Sequence, residues 1–300
     1  MSYVQAVDFV VTDLSKAVKF FREVLEFTEL ETREEKSSFF AQLYHHPEVH
    51  AKRTRMKLGN AEIYLTEMLN PKGKPFPPDS ISSDLWFQHI AIVVSDMEKA
   101  YKKLSQHHAY AISHSPQTIP EWNKPAAGIK AFYFRSPDHH PLEIIFYPPG
   151  KGCAEWQEHR GRLFLGIDHT AIAVSDTEKS LKFYQDILGL QVMGESLNYG
   201  ETQERLTSIP GAKVRITGLR DKQEKGIGLE FLHYIGGKRG RLSKHAPHDL
   251  TATKTIIKTP NLEPILKKLG KEHMRGKIEE KGKTVAALLV DPDGHYVLLI

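Results

Sequence analysis

The chain of 300 residues carries a single cysteine, Cys153, so it can close no internal disulfide and build no thiolate metal cluster. That cysteine sits in a polar stretch, GKGCAEWQEHRGR, which does not read as the surroundings of a nucleophile. No run approaches the roughly 18 apolar residues of a membrane span. The N-terminal MSYVQAVDFVV also lacks the basic and apolar regions of a signal peptide, so a cytoplasmic location without a membrane partner is expected. Charge of one sign is scarce too, with 41 Lys and Arg against 37 Asp and Glu and a formal net charge of +4. The densest basic stretch, GGKRGRLSKH from Gly236, holds no aromatic residue that could stack on bases, which argues against a nucleic-acid partner. What remains is 40% hydrophobic and 26% charged, ample for a core, at a length that suggests two domains.

A fourfold echo organises the chain. AVDFVVTDLSKAVKFF from Ala6, HIAIVVSDMEKAYKKL from His89, HTAIAVSDTEKSLKFY from His169 and KTIIKTPNLEPILKKL from Lys254 superpose without a gap. Each copy is an apolar strand-like segment, then Asp13, Asp96, Asp176 or Asn261 as helix N-cap, then apolar residues at helical spacing such as Val18, Phe21 and Leu25. Shorter β-like runs follow, SFFAQLY and EIYLTEM in the first unit, AFYFRSP and PLEIIFY in the second, VRITGL and LEFLHY in the third, and AALLVDPDGHYVLLI in the fourth. The reading is four βαβββ modules, 1–69, 84–149, 164–235 and 249–300, within sequence halves 1–150 and 163–300. Stretches rich in Pro, Gly or charge separate them. Each unit is too small to bury a good core alone, so the units are expected to pair.

Only the middle two units hold a histidine early and a glutamate late. Strand alternation places His89, Ala91 and Val93 on one face, and His169, Ala171 and Ala173 on the matching face of the third unit. Glu143 and Glu230 occupy equivalent places in the closing strands, each followed four residues later by a tyrosine on the same face, Tyr147 and Tyr234. A carboxylate inside an apolar strand is costly unless it is paired or bound to a cation. In units one and four the histidine place holds Ala6 or Lys254 and the glutamate place Tyr64 or Leu298, none of them suited to a metal; Asp8, Lys254 and Lys258 are expected to face inward there. His45, His46, His107, His108, His139, His140 and His295 fall in turns or loops and read as solvated or structural.

Four βαβββ modules, a helix start reading SDTEKSLKFY, and a DPDGH turn before the last strand resemble the vicinal oxygen chelate superfamily. That group includes glyoxalase I, methylmalonyl-CoA epimerase, extradiol dioxygenases and bleomycin-resistance proteins. The resemblance implies an α+β fold of modules paired into two cup-shaped, incompletely closed mixed β-barrels with helices outside. Members pair one-with-two and three-with-four, or one-with-four and two-with-three. The second arrangement is expected here, because it gathers His89, Glu143, His169 and Glu230 into one metal cup and leaves modules one and four as a degenerate one. The second unit departs from the family turn, reading SPDHHPLE, so His139 should stand at a positive φ where glycine is usual.

The ligand set implies one divalent ion, Ni, Co, Zn, Mn or Fe(II), with two positions left for water or substrate. The leading expectation is a glyoxalase-type lyase or isomerase acting on vicinal oxygens through an enediolate, with Glu143 or Glu230 as base and Tyr147 and Tyr234 lining the substrate pocket. Glyoxalase I itself implies the hemithioacetal of methylglyoxal and a thiol. The alternatives are an Fe(II) extradiol ring-cleaving dioxygenase and a small-molecule sequestering protein. The partner is thus a small-molecule substrate; a monomer suffices and a homodimer is allowed.

Overall fold

The structure is a computed structural model that describes residues 2–300 except Ser37, His45, Pro47, His108, His159, Arg160 and Ser243, and only the backbone of Ser38 and Phe39. The expectations for His45 and His108 therefore lie outside the described residues. The first unit contains β1 (Tyr3–Val11), α1 (Leu14–Glu23), β2 (Thr28–Glu35), α2 (Ser38–Tyr44), β3 (His50–Leu58) and β4 (Ala61–Asn70). The second contains β5 (Gln88–Val94), α3 (Met97–Gln106), the two-residue strands β6 (Tyr110–Ala111) and β7 (Gln117–Thr118), β8 (Lys130–Arg135) and β9 (Pro141–Phe146). The third has β10 (Phe164–Val174), α4 (Thr177–Leu181), β11 (Gln191–Tyr199), α5 (Glu201–Thr207), β12 (Lys213–Arg220) and β13 (Gly228–Gly236). The fourth has β14 (Lys254–Lys258), α6 (Glu263–Lys268), β15 (Met274–Glu280), β16 (Lys283–Val290) and β17 (Tyr296–Leu299). Among the described residues no helix is long and apolar enough to cross a membrane.

Helix starts follow the cap chemistry. Asp13, Asp96 and Asp176 sit in extended backbone and accept from amides two or three residues on. Asn261 accepts from the Glu263 amide at 3.1 Å, but α6 begins one place later than expected, with Leu262 as the half-in residue. Because Asp176 accepts from both the Glu178 and Lys179 amides, Asp176→Ala is expected to lower the midpoint of urea unfolding.

The fold is α+β, built on two large mixed sheets. An eight-stranded sheet runs β15-β16-β17-β14-β1-β4-β3-β2 and a nine-stranded one β11-β12-β13-β10-β5-β9-β8-β6. Units one and four thus share one sheet through the antiparallel β1–β14 pair, and units two and three the other through β5–β10. Alternation along these strands gives each sheet an apolar back, and the backs share one continuous core with the helices. Phe21 of α1, Leu104 of α3, Phe183 and Tyr184 of the π-helical turn after α4, and Ile265 of α6 all join it.

The turn before each second closing strand ties the sheets together. His140 Nε2 donates to the Val10 carbonyl at 2.7 Å, and Asp138 accepts from the Thr12 amide at 3.0 Å. The fourth unit repeats this, with His295 Nε2 donating to the Ala173 carbonyl at 2.8 Å and Asp293 accepting from the Ser175 amide at 2.8 Å. These two histidines are buried and structural. His139, at the glycine place, has a φ of +65°, where Gly294 in the fourth unit has +99°.

One expected strand is a helix. SFFAQLY forms a helix of about two turns, α2, because Phe40, Leu43 and Tyr44 fall at helical spacing and bury together with Ala6, Ile256 and Leu298 over the open face of the eight-stranded sheet. Gly276 makes room for it: a Cβ there would stand 2.4 Å from the Leu43 carbonyl oxygen. The strand β2, TELETREE, had no apolar alternation to reveal it, being exposed along most of its length.

Candidate metal centre

The site is a product of register. In the central antiparallel pair of the nine-stranded sheet, His89 lies opposite Ala171 and His169 opposite Ala91, so the two imidazoles stand diagonally with only methyl groups between them. Their ring centroids are 5.9 Å apart. The parallel neighbours complete the set, since Ala91 is in register with Glu143 and Ala171 with Glu230. All four side chains therefore emerge on one face.

His89, Glu143 and His169 form a single buried group with ligand atoms mutually within 4.8 Å. Glu143 Oε2 is 3.0 Å from His89 Nε2 and 3.6 Å from His169 Nε2. Glu230 stands slightly apart, its Oε2 3.4 Å from His169 Nε2, with a side chain 29% exposed against 5% for Glu143.

The electrostatics follow from this crowding. Burial lowers the His89 pKa below its ordinary value. Burial would lower His169 as well, but Glu230, Asp168 and Glu143 outweigh it and push His169 well up. Burial would raise Glu143, yet the two imidazoles hold it below the usual carboxylate range. Glu230 is raised, chiefly by burial.

The donor set suits a divalent cation, and His89 provides the test. Its ring is fully buried, and among the described residues neither nitrogen has an aligned hydrogen-bond partner despite the proximity of Glu143. A buried imidazole left this way is costly, and a cation accepting the Nε2 lone pair while lying against two carboxylates removes that cost. His169 is prepared differently: its Nδ1 is 2.9 Å from Asp168 Oδ2, so Nε2 is the atom that faces the glutamates.

Beside Glu230 opens a hollow of about 820 Å³ whose lining includes Tyr147, Cys153, Asp168, Arg220 and Glu230. Tyr147 is thus at the wall, donating to Asp168 at 3.0 Å. Tyr234 packs among Phe87, Tyr133 and Leu206 and is not part of that lining. Sequence reasoning missed Asp168, Trp156 and Tyr133. Tyr133 pairs with Glu143 across β8–β9 and lies against His89 with ring centroids 4.9 Å apart, so alternation along AFYFRSP could have found it. Trp156, in the connection between halves, carried no such signal.

Residues 3–144 and 166–298, nearly the whole chain in two stretches, match the Glyoxalase/Bleomycin resistance protein/Dioxygenase superfamily. The chain belongs to this superfamily. A protein from Synechocystis named "Probable lactoylglutathione lyase" is 30% identical over 133 residues, 44% of this chain and 92% of that protein. One of the same name from Vibrio parahaemolyticus is 27% identical over 145 residues, 45% of this chain and 88% of that protein. Glyoxalase I from Zea mays shares the fold at a TM-score of 0.63 and 17% identity, covering 100% of this chain and 92% of that one.

In this superfamily member the matching face of the eight-stranded sheet has a register that puts Tyr64 opposite Asp8 and Leu298 opposite Ile256, the places of Glu230 and Glu143. Asp8 is buried, accepting from Thr66 Oγ1 at 2.7 Å and from Arg53 at 3.1 Å. Lys254 is fully buried, donates to the Ala252 carbonyl at 3.1 Å, and lies over the Tyr44 ring. Lys258, expected to face inward, is exposed, because it ends β14 opposite Tyr3 at the sheet's rim.

Burial lowers the Lys254 pKa to about 8, against the pull of Asp8 and with Arg53 adding to the depression. Below pH 8 the folded state holds a buried charge that the unfolded chain solvates. Between about pH 8 and 10.5 the unfolded state binds the extra proton, so stability rises with pH. The stability of Lys254→Met relative to the parent is accordingly expected to be greater at pH 7 than at pH 10.5 by about 3 kcal/mol, read from paired denaturation curves at the two pH values.

Proposed function

We propose that the chain is a divalent-metal-dependent enzyme of glyoxalase type, a lyase or isomerase that moves a proton between adjacent carbons of a small substrate with vicinal oxygens. The observation that carries this is the group His89, Glu143 and His169 with Glu230 beside it, set at the edge of a substrate-sized hollow. The two relatives named as lactoylglutathione lyases support the reaction class. His89, Glu143 and His169 would hold the cation, and Glu230 would complete the set.

When bound, the cation supplies Lewis acidity that polarises the substrate's oxygens and acidifies the neighbouring C–H. The chain's own residues do the rest. Glu143 touches both imidazoles and is closed off from the hollow, so it stays in place. Glu230 touches only His169 and borders the hollow, so its Oε2 is the atom free to turn and take the proton, then return it one carbon away. Burial has already raised its pKa, which makes it a better base than an exposed carboxylate. Tyr147, Cys153 and Ile129 line the wall of the hollow beside it.

A second reading is favoured by the compactness of the three-residue group alone: two histidines and one carboxylate are also the Fe(II) set of extradiol dioxygenases. Elemental analysis, then refilling with Ni, Zn, Mn or anaerobic Fe(II), separates the two. Turnover of the methylglyoxal–thiol hemithioacetal without oxygen supports the first reading. Oxygen uptake with catechols, specific to Fe(II), replaces it with the second. Absence of any bound metal or turnover overturns both.

A further inference from the structure

Resting on the metal-binding reading, we propose that Asp168 is a positioning residue that locks His169 in the tautomer presenting Nε2 to the glutamates, and that couples this choice to the wall of the hollow. A side chain one residue before His169 should point to the opposite face of the sheet. It does not, because the β5–β10 ladder slips between Ile167 and His169, and the bulge brings Asp168 round to the same side. A carboxylate only accepts, so at 2.9 Å from Asp168 Oδ2 the hydrogen of a neutral His169 is placed on Nδ1.

Asp168 is in turn held from three directions. Trp156 Nε1 donates to Oδ1 at 2.9 Å, the Tyr147 hydroxyl to Oδ2 at 3.0 Å, and Arg220 reaches the Asp168 carbonyl at 2.9 Å and Oδ1 at 3.4 Å. These donors come from the connection between halves, the end of β9 and β12. Trp156 is itself seated in a fitted place, since a Cβ at Gly166 would come within 2.9 Å of its ring. The second unit has no counterpart: Gln88, one residue before His89, donates instead to Thr170 at 3.2 Å and Thr255 at 2.9 Å. Among the described residues His89 Nδ1 has no partner, and its ring is held by Phe87 and Tyr133. Two imidazoles equivalent in the repeat are thereby unequal, one pinned through an acid and the other only packed.

The test uses the intact chain and two readouts. Nitrogen-15 spectra of the metal-free protein, at a pH where both imidazoles are neutral, report which ring nitrogen of His169 carries hydrogen. Competition with a chromophoric chelator reports the affinity for Zn²⁺. We expect Nδ1–H at His169 in the parent, loss of that preference in Asp168→Asn, and Zn²⁺ binding weakened by about 10–100-fold, with Gln88→Leu leaving Zn²⁺ binding within about threefold. If Asp168→Asn does not fold, Tyr147→Phe and Trp156→Phe, each removing one hydrogen bond to the acid, should still weaken Zn²⁺ by about two- to fivefold. An Asp168→Asn protein that keeps both the tautomer and the affinity overturns the proposal. A parent protein that binds no Zn²⁺ sinks the metal reading instead, and the tautomer spectra then decide the role of Asp168 by themselves.

Discussion

His89→Ala is expected to abolish tight metal binding and to destabilise the metal-free protein by at least about 1 kcal/mol. Truncating a buried ring normally costs several times that, because a cavity remains. Here the truncation also removes two buried nitrogens without an aligned partner among the described residues, which offsets part of that cost, but it takes from buried Glu143 one of its two imidazoles. The stabilisation gained from metal disappears, however, because Glu143, His169 and Glu230 alone hold a cation poorly. For the parent that stabilisation is about 2.7 kcal/mol at a free ion concentration one hundred times the dissociation constant. Melting curves with and without excess Zn²⁺ therefore converge for His89→Ala and stay apart for the parent. His169→Ala should also lose the metal, but with a larger loss of intrinsic stability, since it strips Asp168 of its imidazole. Metal retained in His89→Ala and lost in His169→Ala would mean that the second unit does not share the site.

Glu230→Gln should lower kcat by about 10²–10⁴ while the protein still takes up metal, more weakly. The amide keeps the shape of the carboxylate but cannot accept and return a proton. Glu143→Gln should differ in kind. Its carboxylate lies within reach of both imidazoles, so its replacement empties the site before it slows any step. Metal content measured beside kcat distinguishes the two, and exchange of solvent deuterium into product reports whether proton transfer itself was lost. Equal loss of metal in both variants would remove the distinction between a fixed and a mobile glutamate.

Much of this site was legible because strand alternation is rigid. Once His89 and His169 were placed on an inward face, the ladders had little freedom, and Glu143 and Glu230 arrive beside them in register, as Tyr64 and Leu298 do in the other sheet. What was not legible breaks the period of two. The bulge at Asp168 turns an outward residue inward, and no composition signal marks it. SFFAQLY satisfies both a strand and a single-faced helix, and its contacts with Ala6 and Ile256, far away in sequence, decide for the helix. Trp156 reaches Asp168 from a connection whose path nothing local dictates.

The way the sheets are shared has a consequence for symmetry. Each sheet takes one unit from each half of the chain, as two identical half-length chains would do about a twofold axis. Such a homodimer would be obliged to carry two identical sites, since every residue appears in both. Joining the halves in one polypeptide lifts that obligation: Ala6, Tyr64, Lys254 and Leu298 can stand where His169, Glu230, His89 and Glu143 stand in the other sheet. The connection through residues 150–163 therefore does more than keep the halves together at any dilution. It lets one face keep the His–Glu group while its twin is filled by α2 and becomes core.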